Sequence, residues 1–254
     1  MSDSMRAVVM AEFGDPDVLQ LGTADKPEPG VGEILVRVRS SGLNRADILQ
    51  RVGRYPPPPG YSEKILGLEY AGVVEGVGPG VELWKLGDRV MGILGGGGYA
   101  EYVAVHERTA VKVPAGISLE DAGAIPEVFM TAFDALFRQM NLSEGETVLI
   151  HAVGSGVGTS AVQLAQAAGV RAIGTSRTPD KLDRALELGL DVGIVGDGEW
   201  PERVMAASGG EGVDVILDLV GGDYLEGNLH VLGQGGRQVV VGVPSGPRGQ
   251  IDLR

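Results

Sequence analysis

Cysteine is absent from this chain, and histidine occurs only three times in 254 residues. Without thiols there is no disulfide framework and no thiolate-held metal, so the cytoplasm is the expected compartment. Positive charge is in deficit: 21 Lys and Arg against 34 Asp and Glu leave a formal net charge of −13. That is the wrong sign for nucleic acid or an anionic membrane as the main partner. Aromatic residues make up only 5%, and no basic stripe with interleaved rings supports RNA binding. No apolar run reaches the length of a membrane span, and "MSDS" passes at once into strand-like "MRAVVM" with no h-region of a secretory signal. Glycine, in contrast, is plentiful at 42 residues, with 14 prolines. Both fall between periodic segments, where they punctuate turns of a globular fold.

The pattern changes character near residue 126. Before it come short β-type runs: "MRAVVM", "EILVRVRSSGL", "EYAGVVEGVG", "DRVMGIL", "GYAEYVAV" and "TAVKVP". Their alternation predicts a folded-over β barrel, with one helical insert near "NRADILQRV". "RYPPPPGYS" (54–62) reads as a stiff, extended loop, because successive prolines fix φ and remove donors. After residue 126, strands and helices alternate: "ETVLIHA", helix 157–168, "VRAIGTS", helix 179–188, "DVGIV", helix 200–207, "VDVILDLV", a helix near 222–231, and "RQVVVGV". Apolar strands alternating with amphipathic helices predict an α/β, doubly wound parallel sheet. Two domains are therefore expected, 1–126 and 127–254.

"HAVGSGVGTSAVQLAQAAG" (151–169) is a glycine-broken turn opening an apolar helix. A phosphate beside a helix N-terminus needs outward N–H groups and no side chain in the way, which Gly154, Gly156 and Gly158 permit. Gly156 to Ala161 comes close to the dinucleotide fingerprint, in the strand–turn–helix context that the fingerprint requires. The plainer alternative is a tight turn that holds nothing. An NAD site usually ends its second strand in a carboxylate that grips the ribose 2′-hydroxyl. Here the strand ends in Ser176 and Arg177. A carboxylate about 4 Å from a 2′-phosphate would cost about 4 kcal/mol at an effective dielectric near 20. Serine removes that repulsion, Arg177 offers a planar fork to phosphate oxygens, and Lys181 adds a second charge one turn into the helix. The expected cofactor is NADPH. The competing reading is that both cations merely decorate a solvated helix start. By position, Ser155 and Val157 line the pyrophosphate turn, and Val220 and Gly221 close over the adenosine side. Gly242 and Val243, in "VGVP" (241–244), lie at the carboxyl edge of the fifth strand.

"LGLEYAGVVEGVGPGVELWKLGDRVMG" (66–92), "GYAEYVAV" and "IPEVFMTAFDAL" resemble signatures of the medium-chain dehydrogenase/reductase superfamily. "GLNRADILQRVGRYPPPPG" (42–60) and "LIHAVGSGVGTSAVQLAQAAG" (149–169) are similar to its zinc-free quinone oxidoreductase branch. The resemblance covers about residues 5 to 247. It implies a GroES-like domain followed by a Rossmann domain, with the active site between them. Leu68 stands where zinc alcohol dehydrogenases carry the motif histidine, and their ligand cysteine is absent. Glu69 survives, but one carboxylate does not hold zinc, and a core-edge carboxylate bonded to backbone is the preferred reading for it. His106 and His230 read as spectators, and His151 as a group bonding or packing locally. Family members continue past "VVVGVPSG" with a last Rossmann strand, so the Rossmann domain is expected to be incomplete, and their dimer commonly pairs that edge strand. A homodimer is expected only if that segment is present.

With no Lewis acid expected, alcohol oxidation is disfavoured. Quinone reduction asks less, since the acceptor is already electrophilic and the protein mainly holds the reactants face to face. The resemblance assigns three positioning residues. Tyr55 matches the branch's cleft tyrosine, Asn44 a residue facing the nicotinamide, and Thr131 a cofactor-contacting threonine. Residue chemistry alone makes Tyr55 a loop tyrosine, Asn44 a helix N-cap and Thr131 a threonine bonded back to its own turn. The expected function is NADPH-dependent reduction of a small-molecule quinone or enone acceptor. An enoyl reductase and a non-enzymatic NADPH-binding protein are the alternatives.

Overall fold

The computed structural model describes residues 3–251. The chain forms two compact units, dividing after Glu127. In the first, β1 (Ser4–Met10) and β2 (Leu19–Asp25) pair antiparallel as a two-stranded sheet. β3 (Glu33–Ser40), α1 (Arg45–Arg51), β4 (Glu69–Val77), β5 (Arg89–Ile93), β6 (Tyr102–His106) and β7 (Ala110–Lys112) follow. The strands build a curled antiparallel sheet in the order β6-β3-β4-β5-β7. Alternation in β3 and β4 turns Ile34, Val36, Tyr70 and Val74 inward onto Val90, Val103 and Val105, giving the unit its main core. The short helix α2 (Leu119–Ala122) adds Ala122 to a satellite cluster with Ala71 and Val113. α3 (Pro126–Phe133) begins at the end of this unit and runs on into a π-type turn at Asp134–Gln139.

The second unit alternates β8 (Thr147–Ile150), α4 (Gly156–Ala167), β9 (Arg171–Ser176), α5 (Pro179–Glu187), β10 (Val192–Val195), α6 (Trp200–Ala207), β11 (Val213–Asp218), α7 (Leu225–Val231) and β12 (Leu232–Val240). Its sheet is parallel, in the order β10-β9-β8-β11-β12. Strand parity assigns the faces. Val148, Ile150, Val215 and Leu217 meet Ala161, Val162 and Ala165 of α4 on one side. Leu149, Ile173, Ile194 and Ile216 meet Trp200 and Val204 of α6 and Val231 of α7 on the other. This is the doubly wound α/β arrangement expected from the sequence. Its order reverses between β8 and β11, so the chain leaves these neighbours toward opposite faces and opens a crevice at their carboxyl ends. Among the described residues no helix is long and apolar enough to cross a membrane.

Candidate nucleotide and acceptor sites

A cavity of about 410 Å³ opens over the carboxyl ends of β8, β9 and β11, lined among others by Gly154, Ser155, Ser176, Arg177, Lys181 and Val220. Ser155 caps α4: its Oγ accepts the Gly158 N–H at 3.1 Å. That leaves the Gly156 and Val157 N–H groups, in the first turn, without a partner among the described residues. The three glycines of the turn answer three different contacts. A Cβ on Gly158 would meet the Ala152 and Val153 carbonyl oxygens at 2.6 and 2.7 Å, so this glycine lets the helix approach the strand. A Cβ on Gly156 would meet Val128, and one on Gly154 would meet the Lys181 stem at 2.6 Å. Gly154 therefore makes room for the Lys181 side chain.

At the end of β9, Ser176 is buried and its Oγ accepts the Thr178 N–H at 3.2 Å. Neither Arg177 nor Lys181 forms an ion pair or side-chain hydrogen bond with any described residue, although the chain carries 13 surplus negative charges. Two unpaired cations on one wall suit an anionic guest. At the end of β11, Asp218 is fully buried, and its Oδ1 accepts the Val220 and Gly221 N–H groups at 2.7 and 2.9 Å. Gly221 is left-handed at φ 95°, and a Cβ there would strike the Val243 Cα at 2.8 Å. Ser245 Oγ closes the loop by donating to the Val220 carbonyl at 2.9 Å. Gly221, Gly242 and Val243 thus back this loop, while the cavity wall itself is continued by Pro244 and Ser245.

Beneath the cavity runs a polar chain that sequence reasoning left open. His151 is fully buried. Its Nδ1 lies 2.7 Å from Thr175 Oγ1 and its Nε2 lies 2.6 Å from Asn228 Oδ1. Asn228 Nδ2 in turn donates to Asp218 Oδ2 at 3.0 Å. Since Asn228 Oδ1 only accepts, Nε2 carries the imidazole proton and Nδ1 accepts from Thr175. Desolvation holds the imidazole neutral and pushes its pKa down to about 4. The Trp200 and Tyr224 rings stand edge-on to it, with centroids 4.8 and 4.7 Å away. Tyr224 also lines the cavity.

In the first unit, Asn44 is the N-cap of α1, and the Asp47 carboxylate accepts its N–H at 2.7 Å. The Asn44 side chain donates onward to Glu69 Oε1 at 2.7 Å. Glu69, buried, also accepts the Glu127 N–H at 3.0 Å, a carboxylate bonded to backbone as preferred from the sequence. Asp47 further accepts Tyr99 Oη at 2.8 Å and the Gly67 N–H at 3.2 Å. Burial raises the pKa of Asp47 and Glu69 above the usual carboxylate range, against the pull of these donors. Burial and then the neighbouring carboxylates push Glu127 up to about 7. Tyr55 lies on the loop after α1 and is 48% exposed. Thr131, in the second unit, sits half-buried within α3, and its hydroxyl makes no hydrogen bond among the described residues. The back-bond to its own turn is therefore not formed. Ser155, Ser176, Arg177, Lys181 and Val220 come together at one cavity, and Asn44 joins a carboxylate cluster. Among the described residues, neither the Tyr55 nor the Thr131 side chain has a polar partner.

Residues 30–115 match the alcohol dehydrogenase GroES-like domain family, and 156–254 match the family described as zinc-binding dehydrogenase. The residues do not fit a zinc ion: the chain has no cysteine, position 68 is leucine, and no cluster of metal-ligating side chains occurs among the described residues. Quinone oxidoreductase of Lama guanicoe is 33% identical over 248 residues, covering 94% of this chain and 73% of that protein. Pikromycin polyketide synthase component PikAII of Streptomyces venezuelae is 39% identical over 220 residues, 85% of this chain, which spans only 6% of that protein. Among solved structures, the CurK enoyl reductase superposes with a TM-score of 0.87 at 31% identity, covering 94% of this chain and 74% of that one. Mycobacterial Rv1454c, solved in complex with NADPH, gives 0.87 at 32%, covering 98% and 77%.

Proposed function

This chain belongs to the medium-chain dehydrogenase/reductase superfamily, in a quinone oxidoreductase-like branch, and from that premise we propose that it is an NADPH-dependent reductase of quinones and similar conjugated carbonyl acceptors. The observation that carries the cofactor choice is the pair of unpaired cations, Arg177 and Lys181, on the wall of a cavity whose second strand ends in serine instead of a carboxylate. Backbone donors at Gly156 and Val157 receive the pyrophosphate at the positive end of α4. The Asp218-braced loop at Val220–Gly221 closes over the adenosine side. NADPH supplies a hydride when bound. The protein's part is orientation and exclusion of water, and Asn44, Tyr55 and Thr131 serve as positioners of the reacting partners.

An enoyl reductase is the second reading, favoured by the likeness to the CurK enoyl reductase and to polyketide synthases. Both reactions deliver hydride to a conjugated system, so the two readings share a site and differ in the acceptor. We further propose a cytoplasmic protein whose second unit pairs with its own copy when a longer C-terminal segment is present. One panel tests the assignment: simple quinones, enones and an enoyl thioester, each with NADPH and NADH. Quinone turnover that is fastest with NADPH is the expected result. Turnover confined to the thioester moves the assignment to enoyl reduction. NADPH binding with no acceptor reduced leaves a non-enzymatic binding protein.

A further inference from the structure

Tyr224 stands at the head of α7, and sequence reasoning passed over it. Its ring lies flat against Trp200, with centroids 5.1 Å apart and planes at 14°, and edge-on to His151 at 82°. Trp200 is 5% exposed and His151 0%, so the ring rests on an immobile ledge. Its hydroxyl is different. It has no hydrogen-bond partner among the described residues, and it is not a buried orphan either. A Cβ built on Gly196 would sit 2.7 Å from this oxygen, so only glycine there leaves it room. Gly196 is bonded through its N–H to the Ser176 carbonyl at 2.9 Å, which places the tyrosine oxygen over the end of β9, next to Arg177. Burial raises the pKa of this phenol against the pull of the Arg177 charge, with nearby carboxylates adding to the rise, so the hydroxyl keeps its proton. A free donor held on a rigid ring, beside a free guanidinium and inside the same cavity, needs an acceptor from outside the chain.

We propose that Tyr224 is a specificity residue for the 2′-phosphate of the cofactor, donating its phenolic proton to a phosphate oxygen opposite Arg177 and Lys181. This rests on the NADPH reading above and deepens it. A hydroxyl donor adds a charge-assisted hydrogen bond that NADH cannot accept in the same way, because its 2′-hydroxyl carries no charge. The adjacent Asp223 also lines the cavity, so the neutral phenol lets this stretch of chain meet a phosphate with a donor as well as a carboxylate.

The test uses binding, independent of turnover. Adenosine 2′,5′-bisphosphate and adenosine 5′-monophosphate are titrated calorimetrically into the intact wild-type chain, Tyr224→Phe and Gly196→Ala. Phenylalanine keeps the ring on its ledge, and equal melting temperatures verify that. The bisphosphate affinity is expected to fall about tenfold in Y224F, with the monophosphate changed less than twofold. G196A, whose Cβ displaces the hydroxyl, should produce a similar loss, and the double variant should add little to either. A wild type that prefers the bisphosphate while Y224F prefers it equally overturns the tyrosine assignment alone. A wild type with no preference overturns the NADPH reading, and this assignment with it.

Discussion

On the proposed NADPH reading, Arg177 is the side chain whose replacement should shift cofactor choice most directly. Replacing it with aspartate exchanges an attraction for a repulsion at about 4 Å from the 2′-phosphate, so the NADPH/NADH ratio of kcat/KM should fall at least about thirtyfold, roughly 2 kcal/mol. An unchanged ratio would place the phosphate elsewhere. Glu127 and His151 make opposite predictions about pH. Glu127 titrates near 4.5 unfolded and at about 7 folded, so the native state holds the extra proton between those values and stability falls as pH rises through that window. E127Q should remove this slope and gain about 1–2 kcal/mol over wild type at pH 8. His151 titrates near 6.5 unfolded and at about 4 folded, so the unfolded chain holds the extra proton and stability falls as pH drops from 6.5 toward 4. H151Q, which keeps a polar side chain in the network, should flatten that acid limb. Urea unfolding at pH 4.5, 6 and 8 reads both. Parallel curves for wild type and E127Q would mean that Glu127 is an ordinary solvated carboxylate.

The turn between β8 and α4 shows why a glycine pattern is ambiguous at the level of an element. Gly158→Ala drives a methyl onto two backbone carbonyls that cannot yield, so it should cost about 1–3 kcal/mol of stability and affect NADPH and NADH alike. Gly154→Ala strikes the Lys181 stem instead, and should weaken NADPH selectively by moving an ammonium. Thermal unfolding together with titration of both cofactors separates the two, and identical profiles would refute the division of labour. The fold was legible in the sequence because buried parallel strands and amphipathic helices have distinct periods. α5 and α6 were expected at 179–188 and 200–207 and run Pro179–Glu187 and Trp200–Ala207. β2 was not anticipated: in "LQLGTAD" no residue is buried, and it pairs only with β1, so no alternation marks it. Arg177 and Lys181 could be read from spacing along one chain segment. Tyr224, Asn228 and Asp218 could not, because their meaning comes from Trp200, His151 and Gly196 in other elements. The Asp47–Tyr99 contact likewise joins residues 52 positions apart.

At the scale of the whole molecule, the feature with the largest consequence is the end of the parallel sheet. β12 is the outermost strand of the order β10-β9-β8-β11-β12, so among the described residues one side of its backbone has no strand partner. The strand is nine residues long, and the apolar residues at its end, Val240 and Val241, are 47% and 39% exposed. A long edge with apolar side chains and few charges is a template for pairing with another copy. The net charge of −13 opposes association over distance, but it is screened within about 8 Å at physiological ionic strength, and backbone pairing acts closer than that. Self-association should therefore grow with salt, the reverse of a charge-driven contact. Light scattering of the wild-type chain at about 100 µM, a concentration where exposed edges pair, should show mass rising as salt increases from low to physiological strength. Val240→Lys puts a charge on the edge and should hold the chain monomeric across the same range, with its melting temperature little changed because the side chain it replaces is half exposed. A wild-type mass that stays constant with salt would mean that the edge is protected by its own geometry.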